Sequence, residues 1–78
     1  DNTIMEALTN RMKIIEEIGM YKKQNNITIL QPDRWEKILT RVLEEARKNN
    51  LSEELVERVF KAIHQASIDR QTDIMNKP

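Results

Sequence analysis

Only two stretches of this 78-residue chain can interrupt a helix. It holds a single Gly, at position 19, and two Pro, of which Pro78 is terminal. The first break is QNNITILQP, residues 24–32, where turn-prone Asn25-Asn26 precede β-branched residues and Pro32 disfavours helix at Gln31. The second is KNNLSEEL, residues 48–55, in which Ser52 suits an N-cap and Glu53 and Glu54 suit the positive end of a helix dipole. Elsewhere apolar residues recur at steps of three and four, the spacing of a stripe that faces another helix. The pattern predicts an all-α fold of three helices, long–short–long, with no competing strand pattern or repeat. Helix one should open near Asp1-Asn2-Thr3, where Thr3 and Glu6 have capping-box spacing, and run to about Lys23. Helix two should start at the cap-like pair Asp33 and Glu36 and run to about Lys48, with Trp35, Leu39, Val42, Leu43 and Ala46 inside. Helix three should run from Ser52 to about Met75, carrying Leu55, Val56, Val59, Phe60 and Ile63.

Three helices of this length make a small core. A chain this short buries only roughly 60% of the surface its unfolded form exposes. No cysteine is available to staple it. Self-association is the natural remedy, so an intertwined homodimer with the long first helices packed together is expected. Thirteen basic residues balance thirteen acidic ones, which gives no global field for nucleic acid or an acidic membrane. No apolar run approaches the ~20 residues that cross a bilayer, and no signal segment is visible, so the expected setting is cytoplasmic.

The polar residues inside the apolar stripes carry the chemical information. In helix one the stripe reads Ile4, Leu8, Arg11, Ile15, Ile18, Lys22. Arg11 and Lys22 lie about three turns plus roughly 20° apart, hence on one face and ~16 Å from each other along the axis. A lone cation at such a position usually snorkels to the rim. Two in one seam ask for more. In helix three the stripe Val56, Phe60, Ile63 continues as Ser67 and Gln71, so it turns polar near its end. That is either a helix emerging into water or a set of neutral donors meeting the cations of helix one around a small anion.

No nucleophile–base set, metal-ligand spacing or Gly-rich phosphate loop accompanies these residues. His64 lacks a Cys or a convincing carboxylate partner and reads as a surface or boundary residue. The four Met residues read as core filler. Catalysis, if there is any, would need no cofactor and would rest on positioning and electrostatics.

Arg11, Gly19 and Lys22 on the first helix, Asp33-Arg34 after the loop, and Ser67 and Gln71 late on the third form an ordered set. In residue types and spacing it resembles the all-helical chorismate mutases, over essentially the whole chain and without insertions. The family rearranges the dicarboxylate chorismate to prephenate through one pericyclic transition state, with no proton transfer. The resemblance implies that Arg11 grips a carboxylate through two parallel hydrogen bonds. It implies that Lys22 binds a carboxylate and the ether oxygen, that Gln71 donates to the same oxygen, and that Ser67 donates to a carboxylate. Arg34 would organise the polar network, and Gly19 would let a helix or ligand come close.

Three departures qualify the resemblance. The family usually has acids at the positions of Gln31 and Trp35, near the substrate's ring hydroxyl. Gln31 can still hydrogen-bond there and stays a substrate-binding candidate. Trp35 cannot accept such a bond, and Glu36 points roughly 100° away around the helix. The family's first helix also begins earlier and carries an Arg for the partner subunit's site. Residues 1–78 therefore read as a mutase domain truncated at the start of that helix, from a polypeptide fused to another pathway enzyme. The alternatives are an isochorismate pyruvate-lyase-like activity and a non-catalytic helical dimerisation or regulatory module.

Overall fold

The computed structural model describes residues 1–78 and contains three helices and no strand: α1 (Asn2–Asn25), α2 (Pro32–Lys48) and α3 (Glu53–Met75). No helix is long and apolar enough to cross a membrane. The long–short–long order follows from the two predicted breaks, but two of the three helix starts differ in detail. The N-cap of α1 is Asp1, whose carboxylate accepts from the backbone N–H groups of Thr3 and Ile4, at 2.8 and 3.4 Å. Thr3 is already inside the helix, so the Thr3–Glu6 capping box does not form. An Asp placed first satisfies the orphan donors and puts a negative charge at the positive end of the dipole. The start of α2 is set by Pro32 at the first helical position, with Gln31 in the N-cap position and no side-chain cap. Asp33 lies in the first turn and is not the cap. Proline's fixed φ and missing N–H make it a natural first helical residue. Only α3 begins as expected, with the Leu55 N–H donating to Ser52 Oγ at 3.2 Å.

Both breaks end their helices in the same way. Asn26 adopts the left-handed conformation, φ 54°, and the Ile27 N–H returns to the Lys22 carbonyl at 2.9 Å. Asn50, φ 56°, does the same after α2, and the Leu51 N–H reaches the Ala46 carbonyl at 2.8 Å. Asn tolerates this conformation better than other residues with a Cβ, which is why the Asn-Asn pairs mark both turns.

The chain divides into two compact units, residues 1–29 with 67–78, and residues 30–66. In the first, α1 and the end of α3 run in the same direction: Glu16 meets Arg70, Gly19 meets Gln71 and Ile74, and Lys23 donates to the Lys77 carbonyl. In the second, α2 packs on the first half of α3. Ala46 is buried there, Leu39, Val42, Leu43, Val56, Phe60 and Ile63 are half-buried, and Arg47 pairs with Glu53 across the turn at 3.2 Å.

Buried apolar residues are few: Ile15, Ala46 and Ile74. Eleven large apolar side chains are exposed, seven of them on α1: Ile4, Met5, Leu8, Ile14, Ile18, Met20 and Tyr21. Met5 and Met20 are thus surface residues of this chain and not core filler. Within the α1 seam only Ile15 is buried; Ile4, Leu8 and Ile18 face outward.

Candidate functional site

The residues with the most distinctive chemistry gather in the first unit, around Gly19. A Cβ built on Gly19 would stand 3.0 Å from Ile74 Cδ1 and 3.4 Å from both Cα and Cγ of Gln71. The absent side chain therefore lets α3 come against α1 at this point. That close contact repays the roughly 1 kcal/mol a mid-helix Gly costs relative to Ala. It also closes over Gln71.

Gln71 is the one buried polar residue of the chain, with 5% of its surface exposed. Its Nε2 donates to Ser67 Oγ at 2.9 Å, one turn earlier on the same face of α3. Its Oε1 is buried without any partner. An unsatisfied buried carbonyl costs about 1–3 kcal/mol, so the folded chain holds this amide in place against its own stability. The stripe that turns polar after Ile63 does not run out into water; it ends in a dry amide.

Lys22 lies one turn beyond Gly19 on α1 and is half-buried, with its Nζ donating to the Ile29 carbonyl at 3.4 Å. Arg11 lies eight residues before Gly19, ~12 Å along the helix, and is exposed. The expectation of a uniformly dry meeting place for cations and amide thus holds for Gln71, in part for Lys22, and not for Arg11 in this chain alone. Glu16 and Arg70, at 3.1 Å and each part-exposed, tie the two helices beside these groups.

In the second unit Gln31 is half-buried at the N-terminus of α2, and Arg34 is exposed one turn later. Both line a shallow depression with Pro32, Asp33 and Lys37. Trp35, the residue that stands where an acid was expected, stacks on His64 with ring centroids 4.0 Å apart and planes 6° from parallel. The half-buried position of His64 agrees with a boundary residue. Its stacking partner was not legible in the sequence, because the two rings lie 29 positions apart on different helices. Burial pushes the His64 imidazole below its ordinary pKa.

A half-buried ammonium and a buried amide beside a tight helix contact, with no nucleophile among them, form a site that can hold an anion or polarise an oxygen. Residues 1–72 match the family model described as chorismate mutase type II. The chain belongs to this family. Among curated proteins it is similar to the bifunctional chorismate mutase/prephenate dehydratase of Buchnera aphidicola subsp. Schizaphis graminum (strain Sg). The two are 30% identical over 77 residues, which make up 99% of this chain and 20% of that protein. The chain thus spans about a fifth of the length of the curated relative it matches. No solved structure matches. This member of the family holds a half-buried Lys22 and a buried Gln71 in its first unit and a Trp–His stack in its second.

Proposed function

We propose that this chain catalyses the rearrangement of chorismate to prephenate, in the cytoplasm and without a cofactor, within phenylalanine and tyrosine biosynthesis. The observation that carries the reading is Gln71: an amide kept buried and half-unpaired is costly to a scaffold and useful to an enzyme that must stabilise developing charge. In the reaction the ether C–O bond breaks as a C–C bond forms, and electron density collects on the ether oxygen. Lys22 Nζ and the Gln71 amide supply donors to that oxygen. Arg11 holds a carboxylate through its planar fork, Arg34 and Gln31 complete the polar surround of the substrate, and Ser67 stands beside Gln71 with one hydroxyl proton to give. Nothing in this scheme requires proton transfer to the protein. The rate comes from holding the reactive conformer and from donors fixed against the ether oxygen in the bound complex.

We further infer a homodimer built on α1, because seven large apolar side chains on one helix are otherwise left in water. The name of the relative supports a role for this chain as the mutase portion of a bifunctional polypeptide.

The test is the loss of chorismate absorbance, with isochorismate as a parallel substrate. Lys22→Ala and Gln71→Ala should each lower kcat by ~10²–10³ while circular dichroism stays that of the parent. Turnover of isochorismate but not chorismate, or equal loss of helicity and activity, would defeat the reading.

A further inference from the structure

Ser67 Oγ accepts from Gln71 Nε2, and Gln71 Oε1 has no partner although the residue is 95% buried, being 5% exposed. The stem of Gln71 is confined by burial, in the space that a Cβ on Gly19 would crowd at 3.4 Å from its Cα and Cγ. The remaining freedom is rotation of the amide plane about its last bond. As the structure stands, the amide turns its lone acceptor away from Ser67. A ligand presenting an ether oxygen and two carboxylates offers acceptors and no complementary donor at these atoms. Such a ligand cannot satisfy Oε1, and an oxygen brought against it is repelled.

One residue resolves the conflict. A serine hydroxyl both accepts and donates. We propose that Ser67 is a positioning residue that lets the Gln71 amide turn over when substrate binds: its Oγ–H then donates to Oε1, and Nε2 faces the ether oxygen. Every group in the cluster is paired in that arrangement, whereas the present one leaves Oε1 unpaired with or without substrate. The hydroxyl has a single proton, so Ser67 gives it to Gln71 and not to a substrate carboxylate, the role that resemblance alone would assign. The proposal rests on the reading of Gln71 as a donor to chorismate.

Kinetics on chorismate would compare the parent with Ser67→Ala, Ser67→Thr, Gln71→Ala and the Ser67→Ala/Gln71→Ala double variant. Loss of a single orienting hydrogen bond should lower kcat about tenfold in Ser67→Ala, with KM within about twofold, and Ser67→Thr should keep most of the rate. In the Gln71→Ala background the same Ser67→Ala change should cost less than about twofold, because residues acting as a unit are non-additive. A raised KM with unchanged kcat, or penalties that multiply, would assign Ser67 to the carboxylate and overturn the proposal. A second measurement does not depend on turnover. In the side-chain ¹⁵N spectrum of the unliganded chain, Ser67→Ala should move the signal of the Gln71 amide proton that points at Ser67 upfield, while its geminal partner shifts less. In the parent, adding a bicyclic ether dicarboxylate that mimics the transition state should shift both protons. An amide signal indifferent to Ser67 refutes the pairing. A pairing that is present in a chain unable to convert chorismate refutes only the functional reading.

Discussion

At the scale of single residues, the chain gives up stability at Gln71. A leucine there would keep much of the volume and remove the orphaned carbonyl, and replacing poorly paired polar groups by apolar ones is often neutral or stabilising. Gln71→Leu should therefore raise the unfolding free energy by about 1 kcal/mol in urea at fixed protein concentration, while chorismate turnover falls to near background. A loss of stability comparable to that of a core truncation would mean that the amide is paired in solution and structural. The sequence made this residue a candidate from its place in a stripe, since Gln71 follows Ile63 and Ser67 at helical steps. It could not say whether the position is wet or dry. That is decided by Gly19, 52 positions away, whose missing side chain brings the helices together. Arg11 shows the converse: its stripe position suggested burial, and the folded chain leaves it in water.

At the scale of elements, helix number, order and approximate ends were legible because two short breaks and the stripe periodicity are local properties. The caps of α1 and α2 were misread for an equally local reason. Thr3–Glu6 and Asp33–Glu36 both have cap spacing, but Asp1 and Pro32 stand earlier in the chain and start their helices first. The tie between α2 and α3 was not legible, since stacking of Trp35 on His64 is a tertiary contact. That tie should be sensitive to pH. Desolvation lowers the His64 pKa in the folded chain, so the folded state binds fewer protons than the unfolded state near the ordinary value. Its contribution to stability is then complete above that value and is lost as pH falls through it. His64→Phe keeps a stacking ring without a titration. The melting temperature of the parent relative to His64→Phe should therefore decline between about pH 7 and pH 5. A constant difference, or one that grows in favour of the parent, would contradict the assignment.

At the scale of the whole molecule, the question is what covers α1. Scattered apolar residues on a surface need no explanation, but Ile4, Leu8 and Ile18 follow one stripe that also contains the buried Ile15. A stripe that is buried at its centre and exposed on either side is a surface half-used by its own chain. Packing α1 against α1 of a second copy would cover the remainder with a complementary surface, as a twofold interface requires. Leu8 is the informative position, being 38% exposed and without a polar role. In an isolated chain Leu8→Glu would replace a part-exposed apolar residue by a good helix former and change stability by about 0.5 kcal/mol or less. In a dimer it places two carboxylates in a desolvated seam, a change that costs several kcal/mol and cannot be screened away. Sedimentation of the parent at micromolar concentration should give a dimer whose melting temperature rises with concentration. Leu8→Glu should sediment as a monomer, melt well below the parent and lose the concentration dependence. A parent that melts at one temperature across a hundredfold range of concentration, with Leu8→Glu unchanged from it, would leave α1 facing water and remove the dimer from the proposed function.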